Sequence, residues 1–314
     1  MTGIRPAPTS SVIRSAPPAP GTRIDDVTIA YRLAVGMSAD VFAVWHHALL
    51  TPLVCKRVRP ADRANTAHRR RLRLEGQALT TLSHPGIVRL VDQRHDTTLP
   101  YLLLEHVGDR SLRHTLKAEG AFEVGAAVRI VQHVAAAVAH AHAHGFLHRD
   151  LKPSNVILRG GRPVLLDFGV VWRMVPHRRP PDRSGTPQYL APEQIAREPL
   201  TPATDVWGLG ILLYELLTAG RPFPTGSQAA AAPLSERYPQ LTQPPRPPAS
   251  SVPAALARVI EACLEKEPAA RPRSATELVR ALDPFTEVKV WPARLGGGFE
   301  PFRRGSGSRR RLVA

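Results

Sequence analysis

Residues 148–155 read HRDLKPSN and residues 167–169 read DFG. The first run sets a carboxylate (Asp150), a cation (Lys152) and an amide (Asn155) within six residues. The second adds another carboxylate, Asp167, seventeen positions after Asp150. Upstream, a strand-like run ends in VCK at 54–56 and supplies Lys56. The helical stretch RRRLRLEGQALTTL at 69–82 supplies Glu75 nineteen residues later. Within that stretch Leu72, Glu75, Leu79 and Leu82 recur at helical spacing and share one face, while Arg70, Arg71 and Arg73 mostly point elsewhere. A glutamate on an apolar helical face is costly to bury alone, so a basic partner is expected against Glu75.

Moving a phosphoryl group takes a residue to orient the attacking hydroxyl, a cation near the phosphate and oxygen ligands for Mg²⁺. The residues above supply that set in order. The series resembles the eukaryotic-like (Hanks-type) Ser/Thr protein kinases of the soluble bacterial type. Three more segments carry the likeness: SGTPQYLAPE at 184–193, DVWGLG at 205–210 and ARPRS at 270–274. The weak member is AVGMSADV at 34–41, where the family has a glycine-rich loop. Ala34 and Ala39 replace its outer glycines and only Gly36 remains. A loop that closes over phosphates favours residues without a Cβ, yet alanine costs little at ordinary φ. Val54 is a second departure, since alanine is usual there; it should narrow the roof of the pocket.

The resemblance assigns roles residue by residue. Adenine would lie between Val41 and Val54 above and Ile157 below, bonded to the backbone at Glu105 and Val107, with Leu104 at the back and Gly36 in the phosphate loop. Lys56, steadied by Glu75, would grip the α and β phosphates of ATP. Asp167 and Asn155 would hold Mg²⁺ (or Mn²⁺). Asp150 would orient the substrate hydroxyl and accept its proton, and Lys152 would neutralise charge on the γ-phosphoryl group. Thr186 resembles the threonine that contacts the catalytic aspartate and lysine in Ser/Thr-specific members. His148, Arg149, Phe168 and Gly169 take structural places. Asp205 would brace the catalytic-loop backbone, and Arg271 would pair with Glu193 of the APE segment. Arg149 makes this an arginine-type kinase, often switched by phosphorylation of the loop after DFG. Ser184 is the only hydroxyl between Asp167 and Thr186. If phosphorylated it would dock against Arg149, with Arg71 a second candidate; a loop active without phosphate is the alternative.

The implied fold is α+β and two-lobed: a small β-rich amino-terminal lobe with one helix and a larger, mainly helical carboxy-terminal lobe. Residues 1–24 read as a disordered Pro-rich leader, 25–284 as the kinase domain (divided near 107/108) and 285–314 as a basic flexible tail. Strands are expected near 27–35, 40–47, 52–58, 87–91 and 100–105. Helices are expected at 123–144, 203–219, 254–265 and 274–282, with a loop at 242–253. At 314 residues the chain can bury a sizeable core.

The formal charge of +16 comes from 42 basic residues, of which only five are lysine. Arginine, alanine and proline are all heavily used, so the excess reads as compositional rather than as a nucleic-acid surface. The most apolar run, 209–220, is too short to span a membrane and carries Glu215. Two distant cysteines suggest a reducing, cytoplasmic setting. Cys55 should face away from Lys56 as a small buried hydrophobe. His140 and His144, four apart on a helix, lack an acidic companion and read as ordinary helix-end histidines rather than a metal site. The expected partners are proteins with Ser or Thr acceptors; no oligomeric state is implied. A pseudokinase, or a basic docking protein acting by binding alone, is the alternative reading.

Overall fold

Strands β2 (Val27–Val35), β3 (Ala39–His46) and β4 (Thr51–Val58) are rich in β-branched and aromatic residues. In this computed structural model, which describes residues 17–36 and 38–286, they form the middle of a six-stranded antiparallel sheet. Its order is β1-β2-β3-β4-β6-β5, with β1 at Arg23–Ile24, β5 at Leu90–Arg94 and β6 at Tyr101–Glu105. Helix α1 (Thr66–Thr81) lies in sequence between β4 and β5.

Two compact units partition the chain. Among the described residues, the β-rich unit takes in the chain from 17 to 77 together with Arg89–His106. The other comprises Ala78–Val88 and the described residues from 107 to 286. One face of the large sheet buries Val27, Ile29, Phe42, Val44, Leu53, Cys55, Tyr101 and Leu103 as a single apolar cluster. Tyr101 ends in this cluster but donates its hydroxyl to Asp25 at 2.5 Å, which satisfies the polar tip.

The second unit is mainly helical: α2 (Leu112–Glu119), α3 (Val124–Ala143), α4 (Pro192–Ala196), α5 (Pro202–Thr218), α6 (Leu234–Arg237), α7 (Ala254–Cys263) and α8 (Ala275–Leu282). Two short antiparallel pairs interrupt it, β7 (Phe146–Leu147) with β10 (Trp172–Arg173) and β8 (Val156–Arg159) with β9 (Arg162–Leu165). Val128, Val131, Val134 and Val138 of α3 are all buried, as their helical spacing requires. Helix α3 stops at Gly145, whose φ of +80° suits only glycine without strain. Ser274 caps α8 by accepting from the Glu277 amide at 3.1 Å.

The structure differs from the sequence expectations at several points. The strand expected at 87–91 begins at Leu90, because Ile87 and Val88 belong to the second unit, where both are buried and the Val88 amide donates to the Leu165 carbonyl at 3.0 Å. Helices α2, α4 and α6 fall in the part expected to be mainly helical but outside the helix ranges expected there. The leader expected over 1–24 has an ordered end, since Arg23 and Ile24 pair with Thr28 and Val27. By length and composition α3 is the one helix among the described residues that could cross a bilayer, and half of it is buried inside the protein. Residues 1–16 and most of the basic tail, from 287, lie outside the described residues.

Candidate active site

The sheet's pairing register sorts the amino-terminal candidates by face. Val41 lies opposite Lys56, and Val54 and Lys56 lie opposite Leu104 and Leu102 of β6. Side chains alternate along a strand, so Val41, Val54, Lys56 and Leu104 share one face. Phe42, Cys55 and Leu103 share the other, which is the core face. Cys55 therefore points away from Lys56, and burial pushes its thiol up to about 12, where it is an inert apolar filler.

On the Lys56 face, α1 brings Glu75 to the ammonium. Lys56 Nζ lies 2.8 Å from both carboxylate oxygens of Glu75, and the two residues are 8 % and 1 % exposed. A lysine held this way on a strand presents its charge at a fixed point rather than sweeping through solvent. Replacing Lys56 by Met removes the ammonium that both Glu75 oxygens accept from. The expected cost is about 1–3 kcal/mol of stability together with weakened nucleotide binding. Adding Glu75→Gln should recover the melting temperature without the affinity, which thermal melts and nucleotide titration would separate.

Gly36 is held by backbone geometry. Its N–H donates to Ala39 O at 2.9 Å, and a Cβ on Gly36 would sit 2.6 Å from that oxygen. Ala34 and Ala39 lie within β2 and β3 without positive φ, so alanine is unstrained at both. Leu104 is buried and Glu105 half-buried at the end of β6. The Glu105 amide already donates to Arg89 O at 3.0 Å, so its N–H is committed within the sheet unit.

In the helical unit the HRDLKPSN stretch wraps a tight polar network around Asp150. Its Oδ1 accepts the Thr186 amide at 2.8 Å, and its Oδ2 accepts Lys152 Nζ at 2.5 Å. Lys152 Nζ also donates to Thr186 Oγ1 at 2.5 Å, closing a triangle of the three residues. Asn155 Nδ2 donates to the Asp150 carbonyl at 2.9 Å and to its Oδ2 at 3.2 Å. That orientation commits the amide nitrogen of Asn155 and leaves its Oδ1 for an oxygen-seeking cation. Asp167 supplies a carboxylate from an unusual backbone, φ +56°, with Oδ1 accepting the Gly169 amide at 3.2 Å. Hard oxygen donors of this kind fit Mg²⁺ or Mn²⁺. Val107 and Ile157 are half-buried in the same unit, Ile157 at β8.

Asp205 fixes the backbone from behind. It is 1 % exposed and accepts the amides of His148 and Arg149, each at 2.8 Å, on its two oxygens. This holds Arg149 at φ +71°, a conformation that costs energy for a non-glycine residue and here aims the next residue, Asp150. Burial would raise the Asp205 carboxyl, but the hydrogen bond from His142 and the nearby histidines and Arg149 amide bring it below its ordinary range. The fully buried Phe168 meets His148 edge-on with ring centroids 4.7 Å apart, and His148 Nε2 contacts Leu166 O at 3.0 Å.

His142 is the residue that sequence reasoning missed. Its Nε2 lies 2.8 Å from Asp205 Oδ2. In AHAHAHG the pair four apart, His140 and His144, meet with their rings tilted by 44° and the centroids 4.3 Å apart. The middle histidine falls on a different face, towards α5, and the alternate spacing was the available signal. Among the described residues no group of three or more His, Cys, Asp or Glu side chains is placed to hold a metal.

Ser184 and Thr186 follow the same loop. Ser184 is buried and its hydroxyl donates to Asp182. Further along, Glu193 of α4 meets Arg271 in a two-pronged ion pair, Nη1 to Oε1 at 2.8 Å and Nη2 to Oε2 at 2.9 Å.

Residues 28–282 match the family model described as the protein kinase domain. The chain belongs to the protein kinase family. A Streptomyces coelicolor protein named serine/threonine-protein kinase PkaA is 41 % identical over 215 residues, 66 % of this chain and 38 % of that protein. PknB of Mycolicibacterium smegmatis, also named a serine/threonine-protein kinase, is 32 % identical over 220 residues, 66 % of this chain and 34 % of its own length. The Myxococcus xanthus serine/threonine-protein kinase pkn3 is 32 % identical over 269 residues, 79 % of this chain and 49 % of its own. The chain thus spans half or less of each of these curated relatives. The kinase fold accounts for both units: a curled antiparallel sheet with one helix, and a mainly helical body carrying the polar network.

Proposed function

We propose that the chain is an ATP-dependent Ser/Thr protein kinase of the Hanks type that transfers the γ-phosphoryl group of ATP to protein hydroxyls, its own included. The observation that carries this is the closed triangle of Asp150, Lys152 and Thr186. A carboxylate with one oxygen fixed by a backbone amide and the other by an ammonium is oriented to take a hydroxyl proton. The attacking hydroxyl oxygen bonds to the γ-phosphorus, the bridging oxygen leaves with ADP, and the hydroxyl proton passes to Asp150. Lys152, two residues on, offsets the negative charge that develops on the moving group. Lys56, clamped by Glu75, binds the α and β phosphates. Asp167 and Asn155 would hold Mg²⁺ (or Mn²⁺), which when bound supplies charge neutralisation at the phosphates. Val41, Val54 and Leu104, on one face of the sheet, offer apolar surface for adenine; Ile157 and the backbone at Glu105 and Val107 are the further contacts that the family resemblance implies.

Lys152 and Thr186 favour Ser and Thr over Tyr acceptors, because both match the pattern of the family's Ser/Thr-specific members and both bond directly within the Asp150 network. The two free cysteines are buried, in keeping with a reducing cytoplasm. The test is label transfer from γ-labelled ATP with Mg²⁺ or Mn²⁺, to the protein itself and to a basic generic acceptor. Phosphoserine and phosphothreonine are expected after hydrolysis. Phosphotyrosine alone, or no transfer with any acceptor, would overturn the reading.

A further inference from the structure

Between Asp167 and the end of the loop at Thr186 the chain has only two hydroxyl side chains, Ser184 and Thr186. Both are engaged. Thr186 accepts from Lys152 at 2.5 Å, and Ser184, 6 % exposed, donates its hydroxyl to Asp182. Arg149 is equally enclosed, its side chain 4 % exposed. The guanidinium lies 5.5 Å from the centroid of Trp172, donates to Val170 O at 3.4 Å and Ser184 O at 3.5 Å, and meets Asp182 Oδ1 at 3.9 Å. A cation shut away beside Asp150 needs a nearby anion. A phosphate on the loop is one way to supply it. Here a carboxylate of the loop stands in that position.

We propose that Asp182 is a positioning residue for phosphoryl transfer, holding the loop in its working form through Arg149 and Ser184 so that no loop phosphate is required. This rests on the kinase reading above. The physical path is short. Asp182 Oδ1 accepts the Ser184 amide at 3.2 Å as well as the hydroxyl, which folds residues 182–184 into a tight turn. Gly185 follows at φ +127°, where a Cβ would lie 3.1 Å from Arg149 O and 2.7 Å from Leu190 Cδ2. The loop backbone therefore packs directly on the Arg149 peptide. Gln194 Nε2 clamps the same strip, donating to Arg149 O at 3.1 Å and to Ser184 O at 3.5 Å. The next residue is Thr186, whose amide fixes Asp150 and whose hydroxyl takes Lys152. One carboxylate thus sets the register of the backbone that aims the catalytic one.

The test begins with wild-type protein treated with phosphatase and shown by mass spectrometry to carry no phosphate on 167–186. It should transfer label at its full initial rate, without a lag. Asp182→Asn should lower kcat about tenfold or more while leaving the KM for ATP unchanged. Asp182→Glu, which restores the charge, should recover most of the loss. Melting temperatures for each protein separate a loss of fold from a loss of rate, and if Asp182→Asn does not fold the wild-type and glutamate arms decide. A wild type that works only after Ser184 is phosphorylated overturns the proposal and leaves the kinase reading standing, as does an Asp182→Asn protein of undiminished kcat. A wild type that transfers nothing in either state takes down both.

Discussion

Asp150→Asn is expected to reduce phosphoryl transfer by about 10²–10⁴-fold while nucleotide still binds. That is roughly 3–5 kcal/mol of barrier. The substitution is nearly isosteric, so the loop has no steric reason to move. What changes is the chemistry at the two oxygen positions. The one that accepts the Thr186 amide can remain a carbonyl oxygen and keep its bond. The other becomes an NH₂ group facing Lys152 Nζ and Asn155 Nδ2, both donors. A proton acceptor is replaced by a donor among donors, and the ammonium of Lys152 loses the carboxylate it rests on. None of the residues assigned to adenine or to the α and β phosphates is touched. Steady-state label incorporation and fluorescent-nucleotide displacement check the two halves: rate lost, affinity kept. Transfer within a few-fold of wild type would mean that Asp150 is not the residue that orients the acceptor.

How much of this was legible beforehand depends on what kind of contact carries each feature. Lys56 and Glu75 could be paired from the sequence because a glutamate in a leucine stripe demands a cation. The faces of β3 and β4 followed from alternation, which is why the inward aim of Cys55 was readable. The contact of Thr186 with Asp150 and Lys152 was expected from the family resemblance alone; the triangle depends on a loop returning from 186 to 150, and no local pattern encodes that. His142 was hidden for a related reason. Its partner Asp205 is 63 residues away, and the more conspicuous spacing of His140 and His144 drew the reading towards the wrong face of α3. Asp182 lay in a stretch of prolines and arginines with no periodicity at all. Ile87 and Val88 looked like strand because they are apolar and β-branched, and only the competing burial against Leu165 takes them out of the sheet.

Arg271→Met is expected to destabilise the helical unit by about 3–5 kcal/mol, because Glu193 would be left buried without its counter-charge. The two side chains are 0 % and 2 % exposed, so neither water nor salt can relieve the loss. A thermal melt should shift down by on the order of 6–20 °C. The more discriminating variant is Arg271→Lys, which keeps the charge. Every N–H of the guanidinium is used: Nη1 and Nη2 on the two Glu193 oxygens, Nη1 on Ala203 O at 2.9 Å, Nη2 on Lys266 O at 3.0 Å and Nε on Glu265 O at 2.7 Å. These acceptors come from α4, the start of α5 and the turn before Arg271, so one planar fork ties three segments together. The same group lies 5.1 Å from the centroid of Trp207, a fully buried indole of α5. An ammonium has three donors, no plane and a tighter hold on water, so it cannot span this set. Lysine should therefore recover only part of the stability lost in the Met variant, and Glu193→Gln combined with Arg271→Met should cost less than the two single changes added together. A lysine variant that melts with the wild type would show that charge alone matters here, and that the fork of hydrogen bonds does not hold α4 and α5 in register.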